Sequence, residues 1–310
     1  MALYEKTGVK WIRRADARFT NLEKKVAGLP NTTLEVIDLR VTFSIRKSDK
    51  GSSNTAMIQV YNMAPESRKF LEVKPTKTNI PMTVVDLEVG HGDRQVKIFL
   101  GRCTVRSEFK APNWVTTLVA TDGQTHYVKS YDKKFAKGTK IQSIVIHMLK
   151  KSGMALKKET INAISKESKL PRTRTFTGPP LMNIESLQKQ YNFSLNIQDD
   201  IAILRSTAVK LAQSNAKNIV VVSFDNGLLK TPVRKGLLVY IKTIIFPEIK
   251  PGTVLILSGS GLEEFGGTYY VKRMNILGDT WGGPWHMDCQ LIPVDEARIK
   301  LSGDAGVINA

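Results

Sequence analysis

GGTYYVKRMNILGDTWGGPWHMDCQLIP, residues Gly266–Pro293, gathers two of the chain's four tryptophans, one of its four histidines and one of its two cysteines. Rare residues so concentrated raise the question of a reactive site, but their order reads as β-structure. "TYYVKRMNI" and "WHMDCQLI" are strand-like, and "GDTWGGP" joins them as a turn. Gly278, Gly282 and Gly283 allow the bend, because a residue without Cβ reaches backbone angles closed to others. Asp279 is expected to bond its own turn backbone. Successive side chains of a strand point to opposite faces, so Trp285 and Cys289 share one face and are expected to pack inward. His286 and Asp288 share the other face, and no second His or Cys cluster lies nearby in sequence. A metal centre needs several such ligands at fixed spacing, so none is expected. Cys289 reads as a small buried hydrophobe.

The same alternation recurs on both sides. In "LEVIDLRVTFSIRKS" Leu39, Val41, Phe43 and Ile45 are apolar and their neighbours polar, a period of two that puts one face on a core. "TAMIQVYNM", "MTVVDLEVG", "VKIFLGRCTV" and "WVTTLVATDG" continue the series, with Gly90–Asp93 as a hairpin turn and Pro65 opening a short helix. Residues 10–30 read as a short helix, an arm or a first hairpin. Later, "NIVVVSF", "LLVYIKTIIF" and "TVLILSGS" lead into the opening stretch, punctuated by turns such as Pro251-Gly252. Between the two β runs the period changes. "KGTKIQSIVIHMLKKSG" places Ile141, Ile144, Val145, Met148 and Leu149 on one helix face. Thr139 and Gln142 have capping-box spacing, and Gly153 suits the helix end. A second helix fits "LMNIESLQKQY", and "NFSLNIQ", "DD" and "IAILR" read as strand, turn and strand. The expected fold class is mainly β with an α+β insert: two small β-barrel domains flank a mixed helical module. The expected divisions are 1–125 for an arm and first barrel, 126–212 for the module, 213–295 for the second barrel and 296–310 for a polar tail.

Composition narrows the function. Lys and Arg exceed Asp and Glu by 18. Residues 129–175 hold thirteen Lys or Arg against Asp132, Glu159 and Glu167, which is ten of that excess. The candidate contact residues there are Lys133, Lys134, Lys137, Lys150, Lys151, Lys157, Lys158, Arg172 and Arg174. Such a patch attracts acidic protein surfaces or nucleic acid. Few aromatic residues punctuate it, whereas single-strand binders stack bases on aromatics. No apolar run is long enough for a membrane helix. Two cysteines do not make a disulfide framework, so a reducing cytoplasm is the expected site of synthesis. "SGSGL" lacks the G-x-S-x-G spacing, and "GSGLEEFGG" lacks the Gly-Lys-Ser/Thr ending of a phosphate loop. No catalytic residue and no cofactor is assigned. A cell-wall hydrolase with a carboxylate pair brought together in space remains an alternative that sequence alone leaves open.

Two regions carry a resemblance. Leu34–Glu72, with "NTAMIQVYNMAPESR", resembles the N-terminal barrel of phage baseplate hub proteins. Ser223–Leu291 is similar to their C-terminal barrel. There the carriers are Gly227, Leu228, Leu229 and Pro232, then Pro247, Ile249, Pro251 and Gly252, then Gly267, Tyr269 or Tyr270, and Val271. Gly278-Asp279-Thr280 and Trp285 complete the pattern. The family often places a His before the "GDT" bend, where this chain has Asn275-Ile276-Leu277. The resemblance implies a homotrimeric, structural, non-enzymatic hub of the viral tail baseplate, related to contractile injection systems. Each subunit would supply two barrels to a quasi-sixfold ring. That ring would adapt the sixfold tail tube protein to the threefold central spike protein around a DNA channel. Tape-measure and baseplate wedge proteins are further implied partners, with DNA present only in transit. Gly252, Gly278, Asp279 and Trp285 would mark the turns and the barrel closure. The implied location is the virion tail, assembled in the host cytoplasm. The reading from a different class is a nucleic-acid-binding protein that uses residues 129–175.

Overall fold

The computed structural model describes residues 13–21, 33–49, 54–71, 83–91, 94–122, 131–199, 201–206 and 219–294. The first β region contains β1 (Arg13–Asn21), β2 (Thr33–Val36), β3 (Val41–Ser48), β4 (Thr55–Tyr61), helix α1 (Pro65–Leu71), β5 (Thr83–His91), β6 (Arg94–Lys110) and β7 (Asn113–Thr121). The module follows with β8 (Asp132–Phe135), α2 (Ile141–Ser152), β9 (Ala155–Leu156), β10 (Arg174–Thr177), α3 (Pro180–Tyr191), β11 (Phe193–Gln198) and β12 (Ile201–Ser206). The second β region contains β13 (Val220–Val222), β14 (Leu228–Lys235), β15 (Leu238–Thr243), β16 (Val254–Leu257), β17 (Gly267–Asp279) and β18 (Trp285–Pro293). The chain is thus mainly β, with a mixed module between two β runs.

The two β runs form one sheet. Its order is β14-β15-β18-β17-β3-β4-β7-β6-β5-β1-β2, with β13 and β16 attached through β17. The joint is β17. One edge of β17 pairs with β18 along its length. The other edge is divided: Gly267–Tyr270 pair with β16, and Arg273–Asp279 pair with β3. A register irregularity between Val271 and Arg273 marks the change of partner, as β-bulges do where a strand re-aims. Because β17 gives that edge to β3, the sheet does not close into barrels among the described residues, in contrast to the two closed barrels expected. One apolar core spans both β regions, including Phe43, Ile45, Met274, Ile276 and Trp285, while the module has its own core of Ile141, Ile144, Met148, Leu181, Leu187 and Phe193.

Several local expectations change. Residues 13–21 are a strand, not a helix: Ala15, Ala17, Phe19 and Asn21 are buried, with Arg14, Asp16 and Arg18 between them. β1 pairs with β2 and β5, in keeping with the hairpin alternative. The strand expected over residues 34–48 breaks between β2 and β3, where Asp38 takes a φ of 60°, a left-handed angle that Asp tolerates. Thr139 and Gln142 make no capping box. Lys140 is the N-cap without a side-chain bond, Thr139 donates to the Ala136 carbonyl, and Gln142 donates to the carbonyls of Ile161 and Ile164. Gly153 does end α2 in the left-handed conformation. The turn Gly90–Asp93 falls partly, and the tail 296–310 wholly, outside the described residues.

Candidate functional site

The "GDTWGGP" bend lies at the joint between the β regions. Gly278 faces Phe43 across the β17–β3 pairing, and a Cβ there would lie 2.1 Å from a Phe43 ring carbon. The glycine is needed for close approach of the strands. Asp279 bonds its own turn, as expected, accepting from the Trp281 N–H at 3.0 Å. It also accepts from Arg40 of the first β region, at 2.8 Å from Nη2 and 3.3 Å from Nε. Burial alone would raise the Asp279 pKa, but the bonds from Arg40 and Trp281 and the charges of Arg40 and Arg13 hold it below its ordinary value. The Arg40 guanidinium rests 4.7 Å from the Tyr61 ring centroid. Thr280 donates its N–H to the Val41 carbonyl and accepts the Val41 N–H on its hydroxyl. Arg13 donates to the carbonyls of Gly283 and Asp279.

Trp285 completes this lock. Its ring meets Phe43 edge-on at 5.6 Å between centroids and His91 at 5.8 Å. Its indole N–H donates to His91 Nε2 at 3.2 Å. That nitrogen accepts only in the neutral ring, and burial with the nearby charge of Arg13 lowers the His91 pKa, favouring the neutral form. The markers Gly278, Asp279 and Trp285 therefore meet in one place. Arg13, Arg40 and His91 belong to it as well, and sequence reasoning missed them, because a charge on the polar face of a strand carries no sign of a partner more than 190 residues away.

A second lock joins the module to both β regions through the β11–β12 hairpin. Asp122, fully buried, accepts from the backbone and side chain of Asn54, each at 2.7 Å. Asn54 also donates to Gln198, and Gln198 and Asn196 donate to the Ser48 carbonyl. Burial pushes the Asp122 carboxyl up to about 7 against the bonds from Asn54. The buried ammonium of Lys47 meets Asp199 of the hairpin turn at 2.9 Å, and Lys250 approaches the same carboxylate at 3.7 Å. Arg205 of β12 donates to the Pro251 carbonyl and the Tyr270 hydroxyl. Gly252, the fourth marker, makes room for it: with φ of +83°, a Cβ there would lie 1.6 Å from Arg205 Nη1.

The basic residues of the module divide. Lys133 and Lys134 lie on β8, which pairs with β10 carrying Arg174. Lys133 lies 3.3 Å from His147 Nε2. Burial and the charges of Lys133, Lys151 and Lys150 lower the His147 pKa, so these three lysines share one neighbourhood. Lys137, Lys157 and Arg172 are exposed elsewhere on the module, Arg174 covers Phe176 at 4.6 Å, and Lys158 lies in a 3-10 turn. Of the aromatics beside these cations, Tyr131 and Phe176 are buried, and Phe135 is half-buried against the same core with Lys133 5.5 Å from its ring centroid. Tyr131 and Phe176 offer no stacking platform for bases. His286 and Asp288 share a face, 3.6 Å apart, and Lys242 sits beside the imidazole at 3.1 Å. Cys289 points the other way, its buried thiol pushed up to about 12. No group of three metal-ligating side chains occurs among the described residues, and no helix among them is long and apolar enough to cross a membrane.

Comparison with known proteins places this arrangement. The family described as Baseplate hub gp41 matches residues 25–275. A search of curated proteins finds no match. Among solved structures, the 43 kDa tail protein of prophage MuSo2 from Shewanella oneidensis is similar with a TM-score of 0.58 at 8% identity, covering 91% of this chain and 98% of that one. The tail protein from Neisseria meningitidis MC58 has a TM-score of 0.56 at 8% identity, with 91% and 96% covered. The E. coli c3393 protein is described as a type VI secretion component structurally similar to T4 tail proteins gp27 and gp5. It has a TM-score of 0.55 at 11% identity, with 92% and 79% covered.

Proposed function

The chain belongs to the Baseplate hub gp41 family, and on that premise we propose that it forms a homotrimeric ring that adapts a sixfold tail tube to a threefold central spike. The carrying observation is the β17–β3 joint, which welds two β regions into one sheet within each subunit. Three such subunits present six β regions around a closed ring, and cyclic symmetry makes every interface between subunits equivalent. One face of the ring receives the tube and the other the spike. DNA passes through the centre during genome ejection, and tape-measure and wedge proteins complete the neighbourhood. The role is structural, without catalysis, and the place of action is the virion tail. The c3393 relative, a secretion component likened to gp27 and gp5, supports an injection machine of this kind.

The exposed cations Lys133, Lys134, Lys137, Lys150 and Lys151 contact acidic surfaces of tube or wedge proteins. Lys157, Lys158, Arg172 and Arg174 extend that contact. A strongly attractive lumen would hinder exit of a polyanion, so these charges belong outside the channel. Reversing the first five to Glu is expected to block baseplate assembly, read as tail particles by electron microscopy. Normal particles that fail to deliver DNA would move the charges into the lumen.

A further inference from the structure

A second basic surface lies away from the module, over the β17–β3 joint. Strand register sets Arg46, Asn275, Asp288, Lys242 and Lys230 in one cross-strand row over β3, β17, β18, β15 and β14. On β3, β17, β18 and β15 the strand neighbours of each are buried, as Lys47, Met274, Cys289 and Ile241 are, and Lys230 on β14 is itself exposed, so the row belongs to the outward face. Beside it runs a second row, Ser48, Arg273, Gln290, Tyr240 and Val233. Together they line a groove of about 630 Å³.

The charges on this face are not balanced from within. Lys242 has Asp288 at 3.4 Å. Among the described residues no ion pair holds Arg46, Lys230 or Arg273. Lys230 and Lys242 stand directly opposite each other, an arrangement of like charges that costs stability. Arg273 is diagonal to Arg46. An external counter-charge accounts for a face built in this way.

We propose that this groove binds an extended, Asp- and Glu-bearing segment of a partner protein. Protein fits better than nucleic acid for three reasons. Asp288 sits within the row and would repel an evenly charged phosphate chain, while carboxylates on a peptide can be spaced around it. The amides of Asn275 and Gln290 alternate with the cations and suit peptide N–H and C=O groups. Val233 and Tyr240 are half exposed and offer apolar contact. Five strands about 4.8 Å apart give the row a length of roughly 19 Å, the reach of about six extended residues.

The surface belongs to a single subunit, so its test is independent of ring formation. The full-length chain is titrated into a fluorescein-labelled octapeptide of alternating Glu and Ser, into its Gln-for-Glu counterpart, and into an oligothymidylate of equal charge. The Glu peptide is expected to bind the wild type more tightly than the other two. The double variant Arg46→Gln/Arg273→Gln and the single variant Lys230→Gln are each expected to weaken it about tenfold or more. Arg106→Gln/Lys110→Gln, exposed on β6 away from the groove, should change it less than about twofold. Should the double variant fail to fold, carbodiimide coupling of the peptide to the wild type decides, with Lys230 and Lys242 as the expected sites. The proposal is overturned by coupling confined to the module lysines, by no binding at millimolar peptide, or by tighter binding of the oligothymidylate.

Discussion

Gly278, Asp279 and Trp285 show how three side chains tie two distant segments together. A methyl at Gly278 would strike Phe43, and overpacking of this kind costs roughly 1–3 kcal/mol. Gly278→Ala is therefore expected to lower stability by that amount in urea unfolding. Gly266→Ala, whose added carbon would meet carbonyl oxygens no nearer than 3.5 Å, an ordinary contact, should be close to neutral. His91 supplies a pH dependence. Its pKa falls below the ordinary 6.5 on folding, so the unfolded chain binds that proton more readily. The stability it protects is intact above about 6.5 and lost as pH falls below that value. Asp122, raised to about 7, acts in the opposite sense over this range, so the comparison isolates His91: the urea midpoint of His91→Gln relative to the wild type is expected to rise as pH falls from about 7.5 to 5.5. The Gln carbonyl can still accept from Trp285 without titrating. His147 and His286, both also lowered, and Asp122 titrate alike in both proteins and cancel in that comparison. Gly282, Gly283 and Asp279 were legible in sequence because a turn demands them locally, whereas Gly278, expected to allow the bend, lies in β17 and is required by Phe43 across the pairing. Arg13, Arg40 and His91 were not, because nothing local distinguishes them from other polar strand residues.

Strands with strict alternation were legible and others were not. β3, β5 and β18 alternate buried and less buried residues along most of their length, and the period of two found them. β14 buries only Leu228 and Pro232. Among the described residues it is an edge strand, paired on one side only, where proline is tolerated, so its periodicity is lost. β8 and β10 are four residues each and rich in cations, which made that segment look unpatterned. The change of partner along β17 was equally hidden, since register is a property of pairs. At this scale the β11–β12 hairpin is the element that holds the module to both β regions. Arg205 can sit over the Pro251-Gly252 turn only while residue 252 lacks a side chain. Gly252→Ala and Arg205→Ala are each expected to destabilise by about 1–2 kcal/mol. The double variant should lose less than the sum of the two, because the clash with Arg205 is shared while the strain of a side chain at φ +83° is not. A double-variant cycle by urea unfolding measures this directly, and full additivity would contradict it.

For the whole molecule, the order β region, module, β region was visible as a change of hydrophobic period, but its union into one sheet was not. The basic excess was visible too, though only as a sum over residues 129–175. The structure divides the exposed cations between the module and the groove over the joint, and a linear count sees the first alone. The proposed ring in a baseplate would give both surfaces neighbours. On the proposed function, three copies, each contributing two welded β regions, close around a channel at the end of the tail tube. Electron microscopy of tail particles carrying a labelled copy of this chain tests it most directly. The account predicts label at the tube's tip, in a threefold ring with a central hole and six β regions facing the tube. A single copy per particle, or label along the tube and absent from its tip, would contradict it.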